Sequence, residues 1–191
     1  MAKDYSGRDY SVRNFDAKWA EEFAIEAMAL RLVFGDIALL IEHVGSTAVP
    51  GLAGKPVIDI LVLVHDVAAV DDFNQKMEQV GYKTMGEYVK PGSRLFVKEK
   101  DGVRLCNVHV FSEDHPHVRE MIDLRDYLRT HPDEAKRYSQ LKQSLYEKNP
   151  EDYGAYRKGK DEYVTELLRR ITAQRHKETG AHGEYFKNST Q

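Results

Sequence analysis

The chain has 191 residues, with 28 Lys and Arg against 31 Asp and Glu, and its net charge of −3 argues against a dedicated nucleic-acid binder, which would normally be basic. Its 41% hydrophobic and 31% charged residues are ordinary for a soluble protein, no apolar run approaches the ~20 residues of a membrane span, and the polar Met1–Ser11 lacks a signal peptide's hydrophobic segment. One domain is expected, and the single cysteine, Cys106, excludes an internal disulfide and suits a reducing cytoplasm.

Met1–Asn14 reads as an irregular lead. Asp16 then caps a helix in which Trp19, Phe23, Ala27, Leu30 and Phe34 recur at spacings of three and four, a core-facing stripe that Gly35 ends. Ala38–Ile41 leads into Val44 as a short apolar run, long enough for a buried strand and too short for a confident helix. The strand ends at Gly45-Ser46. A glycine there lets the backbone approach a ligand closely, while Ser46 and Thr47 offer hydroxyls and could cap a short turn whose free amides suit a phosphate. Pro50, Gly51, Gly54 and Pro56 close a connection that brings the chain back as Val57–Val64, VIDILVLV, a strand whose only charge is Asp59. An ionised carboxylate on such a strand is costly to bury, so it should meet a metal, a cation or solvent. Asp59 is thus either a strand-end acid tied to a neighbouring loop or a metal site beside the anion site at Gly45-Ser46, the arrangement that phosphoryl and nucleotidyl transfer need.

A second helix is expected over 67–80, started by Asp66 and stopped by Gly81, followed by a short strand over Tyr82–Glu87. Arg94–Lys98 and Val103–Phe111 form a hairpin joined by Asp101-Gly102. Alternation puts Leu105, Asn107, His109 and Phe111 on one face and Cys106, Val108 and Val110 on the other, so Cys106 is read as a buried thiol rather than a nucleophile. By the same period, His43 shares a face with Ile41 and Gly45, and Glu42 lies opposite, so simple strand geometry lets one of the two join Asp59 and not both. Arg94 either grips a phosphate or carboxylate in a bidentate way or makes a surface salt bridge.

Beyond Ser112 the pattern turns helical, over Glu113–Arg129, Pro132–Asn149 and Asp152–Thr172, with breaks at His131-Pro132 and Asn149-Pro150. Arg125 and Lys160 on these helices either bind substrate phosphates over the sheet or form interhelical salt bridges. His115, His117, His131, His176 and His182 show no metal-ligand spacing. Gln174–Gln191 reads as a polar, frayed tail.

Gly45-Ser46, a short connection and then Asp59 on a hydrophobic strand are similar to the signature of the polymerase-beta-type nucleotidyltransferase superfamily. More closely, EHVGSTAVPGLAGKPVIDILV resembles the GrpB family, as do RLFVK at Arg94–Lys98, NVHVF at Asn107–Phe111, LRDYLRTHPDEAKRY at Leu124–Tyr138 and YRKGKDEYV at Tyr156–Val164. The resemblance spans about Asp16 to Arg170. It implies an α/β (α+β) protein, with a nucleotidyltransferase-like mixed sheet flanked by helices over about 16–112 and a helical part over about 113–175. Together these make one domain, 1–175, with 176–191 as a tail. It implies phosphate binding at Gly45, Ser46 and Thr47, with Arg94, Arg125 and Lys160 as further anion contacts, and catalysis at Asp59 and His109.

The implied metal ligands are Asp59 and His109, with Glu42 or His43; oxygen and imidazole donors of this kind suit magnesium, manganese, iron or zinc. Active nucleotidyltransferases usually carry two acids one residue apart on the second strand and a third on a later strand. Here Val57 and Leu61 occupy the neighbouring positions at that spacing, so a pair of ions about 3.5–4 Å apart cannot be held from this strand alone. Two expectations follow. The first is metal-dependent nucleotidyl- or phosphoryl-transfer on a small phosphorylated substrate. The second is a catalytically degenerate module that binds a nucleotide or metabolite, or assists the folding of a protein partner, as suggested for similar domains fused to dephospho-coenzyme A kinases.

Overall fold

A computed structural model describes residues 10–187, with side chains described as far as Arg175. The Asp16 carboxylate accepts a hydrogen bond from the Lys18 amide (3.0 Å) and so starts helix α1, Lys18–Phe34, which buries Trp19, Leu30, Val33 and Phe34. Strand β1, Leu40–Val44, and strand β2, Ile58–Val64, flank the glycine-rich connection. The helix expected over 67–80 forms as a 3-10 turn, Ala68–Phe73, followed by α2, Asn74–Gln79, with the Asp66 carboxylate accepting from the Ala68 amide at 2.8 Å. Strands β3 (Tyr82–Gly86), β4 (Ser93–Lys100) and β5 (Val103–Ser112) follow. Asp101 and Gly102 take φ of 51° and 77°, the left-handed pair that a two-residue hairpin turn requires.

Helices α3 (Pro116–Thr130), α4 (Pro132–Lys148) and α5 (Tyr153–Lys187) follow. The expected stop at Thr172, with a frayed tail after it, is corrected: α5 runs on to Lys187. The run AQRHKE after Thr172 is made of good helix formers, and no proline follows to break it. Residues 188–191, and most of the expected N-terminal lead, lie outside the described residues. Arg13 within that lead pairs with Gly54 as an isolated bridge, with amide-to-carbonyl distances of 2.8 and 2.9 Å.

Among the described residues the sheet order is β1-β2-β5-β4-β3, with the β2–β5 pairing parallel and the other three antiparallel. Five strands of mixed direction followed by a helical part are the α/β arrangement the resemblance implies. One sheet face carries Ile58, Ile60, Val62, Cys106, Val108 and Val110, and packs under α1, the 3-10 turn and α2. Each such apolar side chain removed from water contributes about 1.5–3 kcal/mol. Cys106 is indeed a buried thiol, 1% exposed, and burial pushes it up to about 12.

On the opposite face, Val44, Leu61, Leu63 and Phe111 meet Val118 of α3. A further core joins Val49 and Leu52 of the connection to Leu128, Tyr138, Leu167 and Ile171 of the helical part. The helices therefore clamp the connection against the sheet and leave a cleft where β2 and β5 begin.

Candidate functional site

The register fixes the site. Val44 lies opposite Asp59, and the parallel β2–β5 ladder sets Asp59 beside Asn107 and Leu61 beside His109. Because side chains alternate, Asp59, Asn107 and His109 emerge on one face near the sheet's end. Gly45, the next residue after β1, has φ 75° and ψ −168°, and a Cβ built on it would lie 2.6 Å from Asp59 Oδ2. Only a glycine lets the turn pass this close to the carboxylate.

Asp59 Oδ1 accepts from Asn107 Nδ2 at 2.7 Å and lies 3.5 Å from His109 Nε2. Burial pushes the Asp59 carboxyl up, but the hydrogen bond and charge of His109, the Asn107 amide and Lys55 outweigh it and hold the group below its ordinary value. It is an ionised acid at neutral pH, and 30% of its side chain stays accessible to a ligand. Asn107 is in turn oriented by Arg104, whose Nη1 donates to its Oδ1 at 2.8 Å. His109 Nδ1 is buried, with no hydrogen-bond partner among the described residues.

A cleft of about 360 Å³ opens above these groups, between the sheet and helices α3 and α5. Gly45 and Ser46 line it, with five cationic side chains (Lys55, Arg104, Arg125, Arg157 and Lys160) against two acids, Asp59 and Asp161. Tyr88, Tyr153 and Tyr156 add ring surface. Lys55 Nζ donates to the Tyr153 hydroxyl (2.5 Å), and Lys160 Nζ lies 3.0 Å from Asp161. Behind Ser46, Lys142 of α4 is 1% exposed and donates to the Ser46 hydroxyl oxygen at 2.9 Å.

Several residues expected at the site are placed elsewhere. Arg94 alternates to the opposite sheet face, where its guanidinium makes bidentate hydrogen bonds of 2.6 and 2.7 Å to Asp71, the salt-bridge alternative. Thr47 is 3% exposed and turned inward, its hydroxyl oxygen 2.9 Å from His43 Nε2. His43 also points away from Asp59's face and stacks on Phe23 of α1, with ring centroids 4.7 Å apart. Burial, with Arg129 and Arg125 nearby and Asp59 acting the other way, holds this imidazole at about 4. Glu42 shares the face of Asp59, but its carboxylate is taken by Arg125 Nη1 at 2.5 Å. Arg125 lines the cleft while also donating to the His43 carbonyl (3.0 Å) and to Asp126 (2.7 Å) of its own helix, so it is ion-paired, but to strand β1 and within α3 rather than between helices as expected.

Sequence reasoning assigned no role to Asn107, Lys55, Arg104, Arg157 or Lys142. For Asn107 a signal existed, since it shares His109's face. For Lys142 it was a lysine four residues beyond Tyr138 on a buried helical stripe.

Among the described residues, no three His, Cys, Asp or Glu side chains come together as a metal-holding group. A two-ion centre therefore does not fit. Asp59 Oδ1 and His109 Nε2, 3.5 Å apart, are the two donors here that could hold a single cation; the carboxylate suits magnesium or manganese and the imidazole suits zinc or iron. Among the described residues no helix is long and apolar enough to cross a membrane.

Residues 10–170 match the model of the GrpB protein family. YqkA of Bacillus subtilis is 38% identical over 160 residues, which cover 84% of this chain and 46% of YqkA. A dephospho-CoA kinase of Mycolicibacterium paratuberculosis is 27% identical over 179 residues, covering 81% of this chain and 44% of the kinase. The chain thus spans about half the length of each of these two relatives. The crystal structure of conserved protein GrpB from Enterococcus faecalis superposes with a TM-score of 0.82 at 32% identity, over 86% of this chain and 98% of that one. The chain belongs to the GrpB family.

Proposed function

We propose that the cleft binds a small phosphorylated molecule such as a nucleotide, and that Asp59 and His109 form a one-ion centre for nucleotidyl- or phosphoryl-transfer on it. The observation that carries this reading is the charge of the lining: five cationic side chains against two acids, Asp59 and Asp161, in a chain whose net charge is −3, although Arg104, Arg125, Arg157 and Lys160 also hold carboxylate partners. Such a lining attracts anions and suits phosphate oxygens, which accept charge-assisted hydrogen bonds. Gly45 gives the ligand close approach, Ser46 offers a hydroxyl, and Lys55, Arg157 and Lys160 neutralise negative charge. Asn107 holds Asp59 in place and is itself held by Arg104. A magnesium, manganese or zinc ion between Asp59 and His109 would supply further charge neutralisation when bound. Catalysis in such a site is mostly positioning and electrostatics.

A second reading has its own observation. Among the described residues, the acids that are candidates to join Asp59 are engaged elsewhere: Glu42 is bound by Arg125, Glu87 accepts from the Gly92 amide at 2.6 Å, and Asp161 in the cleft is paired with Lys160 and Arg157. The domain would then bind its ligand without turning it over and serve as an accessory module for a protein partner. The relative named dephospho-CoA kinase, in which a matching segment sits within a longer chain, supports this.

One experiment separates the readings. Thermal melts are recorded with ATP, coenzyme A precursors or sugar phosphates, each with magnesium, manganese or zinc, for the wild type, Asp59→Asn and Ser46→Ala. Ligand at 100 times its Kd stabilises the folded form by about 2.7 kcal/mol. A metal-dependent rise in Tm that disappears in Asp59→Asn supports the transfer centre. A rise kept in Asp59→Asn and lost in Ser46→Ala supports the binding module, and no rise with any combination refutes both.

A further inference from the structure

Lys142 is a polar side chain buried where, among the described residues, no carboxylate pairs with it. It is 1% exposed, and its Nζ lies 4.3 Å from the ring centre of Tyr138 and 2.9 Å from Ser46 Oγ. Gly54 keeps that contact in place, since a Cβ there would lie 2.7 Å from Ser46 Cβ. Burial, and then the charge of Lys160, hold Lys142 well below the ordinary lysine value. The groups facing it are few. The connection supplies Ser46, while its Lys55 goes to the Tyr153 hydroxyl. Helix α4 itself supplies Tyr138, whose phenol burial raises and keeps neutral. Helix α5 supplies Lys160, paired with an Asp161 that Arg157 also binds at 3.1 Å.

The hydrogen-bond inventory of this pair has a direction. An ammonium only donates, so Ser46 Oγ must accept from it, and the single Ser46 O–H is left to donate into the cleft that Ser46 lines. A neutral amine can accept instead. The neutral amine keeps two N–H donors but also allows Ser46 to turn its O–H back toward Nζ and present only lone pairs to the cleft, which repel an anion, so the donor direction is no longer fixed. We propose that Lys142 is a positioning residue whose ammonium form fixes Ser46 as a hydrogen-bond donor to the ligand's anionic group, so that anion binding and protonation of Lys142 favour one another. This rests on the reading of the cleft as a phosphate site. Linkage makes the coupling reciprocal: the anion draws a proton onto Lys142, and that proton strengthens anion binding.

Calorimetric titration with inorganic triphosphate tests it, using the wild type, Ser46→Ala, Lys142→Met and the double variant. Running each at one pH in two buffers of different ionisation enthalpy gives the protons taken up. Each single substitution is expected to weaken binding about tenfold, the effect of one hydrogen bond to a charged group, and the double variant to lose little more than either single. Proton uptake should fall in Lys142→Met and in Ser46→Ala relative to the wild type. If Ser46→Ala weakens binding while Lys142→Met binds within twofold of the wild type with unchanged uptake, the coupling is refuted and the cleft reading stands. If the folded wild type binds no triphosphate, the cleft reading fails and takes this inference with it. Should Lys142→Met not fold, as judged by circular dichroism, uptake by the wild type against Ser46→Ala decides alone, and equal uptake refutes the coupling.

Discussion

Replacing Gly45 by alanine tests whether the Gly45–Asp59 approach organises the site. Gly45 sits at φ 75° and ψ −168°, a region essentially confined to glycine, where a side chain costs about 1–3 kcal/mol. The added Cβ would also lie 2.6 Å from Asp59 Oδ2 and 3.0 Å from Asp59 Cβ, so Asp59 itself must move. Moving it breaks the 2.7 Å bond from Asn107, a hydrogen bond to a charged group that contributes about 1.5–3 kcal/mol. Gly35 is the control: its φ is also positive, at 55°, yet nothing lies within 4 Å of a Cβ built on it. Gly35→Ala should therefore show only the backbone cost, and Gly45→Ala roughly 2 kcal/mol more. Urea denaturation of the two variants and the wild type measures both, provided the slope is unchanged. Equal losses for the two glycines, within about 0.5 kcal/mol, would show that the Gly45–Asp59 contact is not tight and remove the reason given for glycine at that position.

Two further outcomes are expected. His43 is held at about 4 when folded against 6.5 for the free group, so between those values the unfolded chain binds the extra proton. Its contribution is fully present above about pH 6.5 and is lost as pH falls toward 4, by about 3 kcal/mol in all. Urea midpoints at pH 7 and 4.5 should fall further for the wild type than for His43→Gln, and parallel losses would contradict the buried neutral imidazole. Arg125→Met should destabilise by about 1–3 kcal/mol, because it leaves the His43 carbonyl without this donor while the 36% exposed Glu42 carboxylate can turn to water. Arg125→Lys should recover only part of this, since an ammonium cannot reproduce the fork, and full recovery of the midpoint would refute that account.

The hairpin at Asp101-Gly102, the apolar strands around Gly45 and Asp59, and the helix breaks at Pro132 and after Asn149 were legible in the residues, because each is a local rule of backbone conformation or periodicity. The end of α5 was not, because a polar run of good helix formers carries no marker that separates helix from tail. The choices left open at Glu42 or His43 and at Arg94 could not be closed for a related reason: alternation says which residues share a face, but not which face the core takes. In the folded chain α1 covers the His43 and Arg94 side and leaves the Asp59 side to the cleft.

The sequence by itself determined the strand pair, the glycine-serine turn, the lone acid and the family motifs, all contained in short contiguous stretches. Only the tertiary structure decided that β2 and β5 pair in parallel with Asp59 beside Asn107, that Arg125 takes Glu42 away from Asp59, and that Lys142 reaches Ser46 across 96 positions of chain. Those are contacts between segments far apart in the chain, and no local propensity encodes them; they exist because burying the apolar faces of the sheet and three helices leaves one arrangement in which these polar groups meet.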